Sequence, residues 1–244
     1  MLNAKEKNEM SDNKEFDATQ HFGDKHARVY DEKIQKVIRG YNEMHDLSYY
    51  LLKDNLPENA RILVSGLGTG YEAITYAKKQ EGWHIVGVDP APEMITSSKN
   101  KITLLGLARK IEVVEGRVEN IEENNFDAAT SILVMQFLKD NGDKERYLWN
   151  ISEKLRKGAK LIIIDLEGKK GSEKFCLLLS AWKKHQYTTR DDKEQIDKDF
   201  KHVDSDLQFI PEERIIDLLK ATGFTKVCKF YKSFLFGGYI AEKA

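Results

Sequence analysis

The residues best placed to do chemistry are the glycines of Gly66-Leu67-Gly68-Thr69-Gly70 and the acid Asp89. One apolar run, Ile62-Leu63-Val64, leads into the glycines, and a second, Val86-Gly87-Val88, leads into Asp89. Glycines in a strand-to-helix turn let backbone approach a ligand closely. A carboxylate ending the next strand, 23 residues after Gly66, can accept hydrogen bonds from both hydroxyls of a ribose. Together they describe a nucleoside held across the carboxyl ends of two neighbouring strands. Three glycines also suit a tight turn with no ligand, and Asp89 could cap the helix after Pro90. The apolar ledge of Pro90 to Met94 favours the ribose role, with Pro90 and Met94 against the base. A dinucleotide fingerprint needs its third glycine at position 71, where Tyr71 stands. A nicotinamide oxidoreductase is disfavoured on that ground.

The elements that must position these residues follow from periodicity. Residues 1–15 are polar and aperiodic and are expected to be a disordered tail. Residues 16–56 form an N-terminal helical cap, with Ile34, Val37, Ile38, Tyr41, Met44, Leu47 and Leu51 at helical spacing and a break at Gly40 that splits it into two helices. The main domain, 57–244, alternates strands at 61–65, 83–89, 111–115, 126–134 and 160–166 with helices at 70–80, 92–105 and 143–156, the last closed by Lys157-Gly158. Residues 168–206 break this rhythm as a helical insertion after strand five. A helix from Pro211 to Ala221 and two closely joined strands, 225–231 and 233–242, complete the chain. The prediction is an α/β domain with a seven-stranded, mostly parallel sheet whose last strand is antiparallel.

Hydrophobic residues make up 41% of the 244, enough for a sizeable core. The 39 basic residues nearly cancel the 40 acidic ones, which argues against nucleic acid as a direct substrate. No apolar run could span a bilayer, so no membrane partner is expected. The N-terminus lacks the apolar stretch of a secretory signal. Cys176 and Cys228 have no metal-type spacing, no other metal site is indicated, and the two are expected to be buried thiols. The expected location is the cytoplasm.

The chain resembles the Rossmann-like Class I methyltransferases that use S-adenosyl-L-methionine (SAM), over roughly residues 24–244. The G-x-G-x-G turn, Asp89 and the terminal hairpin carry that resemblance. It is more closely similar to the carboxy-SAM synthase family and its methyltransferase relatives. This rests on Val29 to Gln35 leading to Gly40-Tyr41, on Met135-Gln136-Phe137-Leu138, and on Phe236 to Ala241. The resemblance implies SAM as cofactor. It assigns cofactor contacts to Tyr41, to Gly66, Leu67, Gly68 and Gly70, to Asp89 and Pro90, and to Arg117 and Val118. Ile132 and Leu133 end the fourth strand at a further contact position, where the synthase family carries asparagine. Arg117 stands where many methyltransferases place an aspartate for the adenine amine. It would stack on the base or remain an exposed first-turn residue, leaving the backbone of Arg117-Val118 to read the base. The acid usual two residues before the first glycine is Val64 here, and Glu72 is the candidate to replace it, or else a partner for its helix dipole. An insertion arginine that grips the extra carboxylate in the synthase family corresponds to Phe200, so SAM fits better than carboxy-SAM.

Methyl transfer needs positioning and exclusion of water more than a catalytic dyad. Candidates around an acceptor are Gln136, Asp165, Glu167, and the insertion residues Trp182, His185 and Tyr187. His185 could act as a base near neutral pH, although Lys183 and Lys184 beside it favour a solvated helix face. Tyr30, from the cap, could close over the methyl group or simply pack. Cap and insertion together form a lid, which suits a small-molecule acceptor. Such lids also build dimer contacts, so a homodimer is one assembly compatible with the chain.

Overall fold

The computed structural model describes residues 24–244, with side chains from Tyr30 onward. The expected tail at 1–15 and the start of the cap at 16–23 lie outside the described residues. The cap is two helices, α1 (Asp24–Val37) and α2 (Tyr41–Asn55), parted at Gly40 as the periodicity predicts. Then follow β1 (Arg61–Ser65), α3 (Tyr71–Lys79), β2 (His84–Asp89), α4 (Pro92–Leu104), β3 (Ile111–Glu115), β4 (Phe126–Ile132), α5 (Asp143–Lys154) and β5 (Leu155–Leu166). The insertion is α6 (Glu173–Thr189) and α7 (Lys193–Ser205). Helix α8 (Glu212–Ala221) leads to β6 (Phe224–Ser233) and β7 (Phe236–Lys243).

The sheet runs β3-β2-β1-β4-β5-β7-β6, with β7 antiparallel to both neighbours. The chain moves outward from β1 to β3 and returns to β4 on the other side of β1. A crevice must therefore open at the carboxyl ends of β1 and β4. Alternate strand residues serve opposite faces. Ile62, Val64, Ile85 and Ile162 join Met44, Leu52 and Tyr76 in one core. Leu63, Val86, Leu161 and Ile163 join Leu148, Ile151 and Leu218 in the other.

Several features differ from the sequence reading. Strand β4 stops at Ile132, because Leu133 adopts φ 62 and turns the chain out of the sheet. Helix α5 ends at Lys154, and Lys157-Gly158 lies inside β5, where Leu155 already pairs with Phe126 across an irregular register. Cys176 and Cys228 are free but exposed, not buried. The first lies on α6, and the second on the edge strand β6.

The cap is fixed by the chain's later segments. A helix leaves its last carbonyls unpaired, and here distant side chains meet the carbonyls at the end of α1. Trp182 Nε1 and Gln186 Nε2 donate to the Val37 carbonyl at 2.8 and 2.7 Å. The hydroxyls of Tyr231 and Ser233 donate to the Arg39 carbonyl at 2.9 and 2.8 Å. Insertion, hairpin and cap thus converge on one helix end.

Between α2 and α3 lies a buried imidazole, His45, flanked by Tyr41 and Tyr71 with ring centroids 4.7 and 4.9 Å away. Neither ring nitrogen has a hydrogen-bond partner. Burial lowers its pKa to about 3, against about 6.5 in an unfolded chain. The folded state therefore holds His45 neutral, and stability is full above about pH 6.5 and falls as pH drops toward the folded value. Denaturant titrations near pH 7.5 and 4.5 should show a loss of about 2–3 kcal/mol in the wild type. His45→Leu should remove that part of the loss.

Candidate cofactor site

A cleft of about 400 Å³ opens at the crevice that the strand order defines. Its floor is the glycine turn. The Gly66 N–H donates to the Val88 carbonyl at 2.9 Å, tying the turn to β2. Gly66 has φ 83, and a Cβ there would lie 2.3 Å from Val134 Cγ2, so no other residue fits without displacing the cleft wall.

Asp89 ends β2 and lines the cleft. Its Oδ2 accepts from the Gly68 N–H at 2.8 Å and its Oδ1 from the Ala91 N–H at 2.9 Å. Each oxygen keeps a lone pair, so the carboxylate can still receive two hydroxyls. Burial raises its pKa, and the two backbone donors oppose that rise. The cap role and the ribose role are therefore compatible.

Other predicted contacts meet at the same cleft. Pro90 and Met94 form a ledge beside Asp89, with Ala91 and the cap's Tyr30 packed on Met94. Burial pushes the Tyr30 phenol up, so it stays protonated. Arg117 and Val118 bound one end, and Ile132 and Leu133 bound the floor beyond Gly66. Arg117 is exposed and its N–H donates to Asn120 Oδ1 at 2.7 Å. The Arg117 N–H is thus engaged within its own turn.

Six predicted residues do not line the cleft. The Leu67 side chain packs against Gly87, where a Cβ would come within 2.5 Å of it. Gly70 faces Ser98 of α4. Tyr41 is buried against His45 and Tyr71. Gln136 is buried, on a short 3₁₀ turn (Met135–Phe137), and its carbonyl takes the Gln208 N–H at 2.8 Å. His185 sits against Phe234 with ring centroids 5.8 Å apart, so the base role lacks a place in the cleft. Glu72 lies beneath the glycine turn and accepts from the Thr130 hydroxyl. Because Thr130 is in register with Val64, this carboxyl stands over the strand position where an acid is missing. Burial pushes its pKa up to about 7.

The remaining acceptor candidates do not line the cleft either. Asp165 is buried, with a pKa raised to about 6 by burial and opposed by Lys144. Glu167 is held against burial by Lys229 and Lys232. Trp182 packs on Phe200 with centroids 4.9 Å apart, and the Tyr187 hydroxyl donates to Asp197 at 2.5 Å. Phe200 is in the core, and Lys198 pairs instead with Glu194 at 3.0 Å.

Sequence reasoning missed one wall. Asp143, Arg146, Tyr147 and Asn150 all line the cleft from α5. Their spacing, i, i+3, i+4 and i+7, puts them on one helix face, opposite the apolar Leu148 and Ile151, and that polar stripe was the available signal. The Tyr147 hydroxyl is held by Ser65 and Ser131 Oγ at 2.7 and 2.8 Å. The lid is latched too. Asp31 of α1 accepts from the Thr69 hydroxyl of the glycine turn at 2.5 Å and pairs with Lys101 of α4. Asp31→Ala should speed cofactor release roughly 3- to 10-fold in stopped-flow dissociation, the size of one lost hydrogen bond at a partly exposed site.

The sheet order, with the glycine turn and the carboxylate at the end of β2, is that of the Rossmann-like Class I methyltransferase fold. Residues 63–163 match the family model described as a methyltransferase domain. The chain is 27% identical over 127 residues to the carboxy-S-adenosyl-L-methionine synthase of Nautilia profundicola, covering 52% of this chain and 53% of that protein. It spans about half the length of the curated relatives it matches. A SAM-dependent methyltransferase from Methanosarcina mazei superposes with TM-score 0.58 at 18% identity, over 79% of this chain and 96% of that one. The [4+2]-cyclase SpnF superposes with TM-score 0.58 at 14% identity, over 81% and 80%. A shared fold thus leaves the reaction to be argued from the site. Among the described residues no helix is long and apolar enough to cross a membrane.

Proposed function

We propose that the protein is a cytoplasmic SAM-dependent methyltransferase acting on a small-molecule acceptor. The observation that carries this reading is Asp89, fixed by two backbone donors at the cleft with one acceptor position left on each oxygen. Bound SAM supplies an electrophilic methyl group. The chain's own residues hold and enclose it. Asp89 takes the ribose, Gly66 lets the backbone approach, and Ile132, Leu133 and Met94 give apolar walls. Tyr30 and the Asp31 latch bring the cap over the cleft. Such enclosure favours a small acceptor over a folded RNA, and dimerisation through the lid is compatible with it.

Native mass spectrometry of the purified protein, followed by identification of released ligands and calorimetry with SAM and S-adenosylhomocysteine, tests the cofactor. Micromolar or tighter binding is expected, and then methyl transfer in an acceptor panel. Absence of binding to both compounds overturns the reading. A second reading, carboxy-SAM synthesis from SAM and prephenate, has the sequence likeness over half the chain in its favour. Against it stands Phe200, a buried ring where a cation would be needed. Carboxy-SAM formed from SAM and prephenate would establish it.

A further inference from the structure

We infer that Lys144 and Asp165 are positioning residues, two buried charges that clamp one peptide group of the Met135–Phe137 turn and so set the cleft wall that follows β4. The clamp is argued from the chain alone, and its effect on a ligand rests on the cofactor reading above. The segment that leaves β4 puts Leu133, Val134, Phe137 and Leu138 on the cleft. Apolar side chains cannot by themselves orient the peptide groups that carry them. The orienting groups lie behind the wall, where Lys144 and Asp165 are both buried.

Lys144 and Asp165 attract each other, yet the Lys144 ammonium donates to the Met135 carbonyl. The Met135 and Gln136 N–H groups in turn favour the charged form of Asp165. Asp165 Oδ1 accepts from the Leu166 N–H at 2.8 Å, which anchors the carboxylate at the end of β5. Its Oδ2 is buried and has no hydrogen-bond partner of its own. The Met135 carbonyl and the Gln136 N–H belong to one trans peptide group. That group therefore has its negative end on an ammonium and its positive end toward a carboxylate. A peptide group is a strong dipole, so reversing it would set like charges together at both ends. Phe137 and Leu138 follow directly, so this peptide's orientation decides where they meet the cleft. Burying two charges is costly. Apolar residues would fill the same space at lower cost but could not hold the peptide.

Burial raises the Asp165 pKa to about 6, against the pull of Lys144. The titratable groups around it are Lys144 and Tyr147 of α5, with Asp140 facing Lys144. NMR of the ligand-free protein tests the clamp directly. The Gln136 amide resonance should titrate in the wild type with a midpoint near pH 6, and Asp165→Asn should abolish that step. The wild-type titration needs no variant, so the test stands even if Lys144→Met does not fold. Calorimetry should then show S-adenosylhomocysteine bound roughly tenfold more weakly by Asp165→Asn and Lys144→Met, the scale of one hydrogen bond to a charged group. Lys144→Arg, which keeps the charge, should restore most of the affinity. A Gln136 amide indifferent to pH and to Asp165→Asn overturns the inference. A fall in melting temperature with affinity unchanged also overturns it, because the pair would then be structural only. No binding to the wild type removes the cofactor reading and leaves the NMR titration to decide the clamp.

Discussion

Asp89→Asn should weaken S-adenosylhomocysteine binding by about a hundredfold or more while the protein stays folded. The change is isosteric, so its effect comes from hydrogen-bond direction. In the wild type both oxygens face backbone donors, Gly68 N–H and Ala91 N–H. An asparagine amide has one oxygen and one NH₂ group. Either flip sets the NH₂ against a backbone N–H, so the glycine turn or the start of α4 must shift. The ribose also loses a charged acceptor, and hydrogen bonds to charged groups are worth about 1.5–3 kcal/mol each. A loss near 3 kcal/mol is about 150-fold in affinity. Burial raises the Asp89 pKa, so the neutral amide relieves a desolvation cost, and melting should move little. Calorimetry with a thermal melt checks both halves. Affinity within threefold of wild type would remove Asp89 from the ribose.

What was legible in the sequence follows from what is local. Three strands of the parallel sheet carry apolar runs, Ile62-Leu63-Val64 in β1, Val86-Gly87-Val88 in β2 and Leu161 to Ile164 in β5, and each crossover helix keeps its own period, so the order of elements could be read directly. Gly66 and Asp89 carry chemistry in their residue types and sit at strand ends, and both lie in the cleft. The failures are all matters of direction or of distant partners. Leu67 neighbours two cleft glycines yet points at Gly87. Glu72 is one turn past the loop, and only the register between Val64 and Thr130 shows that its carboxyl reaches the strand beneath. The α5 wall was missed because Tyr147 depends on Ser65 and Ser131, which are 82 and 16 residues away. His185 has the right chemistry for a base, but its helix packs toward the hairpin and turns it away from the cleft.

Gly66→Ala should be the most damaging single methyl addition to the site, and Gly68→Ala supplies its control. Both glycines have positive φ, 83 and 53, so both substitutions carry the backbone strain of a left-handed residue, roughly 1–2 kcal/mol. They differ in what the new methyl meets. At Gly68 nothing lies within 4 Å, whereas at Gly66 Val134 Cγ2 would be 2.3 Å away. Val134 follows Leu133, itself at φ 62, in the segment that leaves β4 and lines the cleft. Pushing Val134 outward must therefore move the wall beside Leu133, or pull Gly66 off the Val88 carbonyl that anchors the turn. Overpacking of this kind costs about 1–3 kcal/mol beyond the strain. Gly66→Ala is thus expected to lower stability by roughly 2–5 kcal/mol and to abolish measurable cofactor binding. Gly68→Ala should cost only the strain. The double variant Gly66→Ala, Val134→Ala separates the two terms, since removing the valine methyls relieves the clash but not the φ. It should recover the overpacking part of the stability and leave a deficit close to that of Gly68→Ala. Equal damage from Gly66→Ala and Gly68→Ala in denaturant titrations would mean that the glycine turn is governed by backbone strain alone and that Val134 does not brace the cleft.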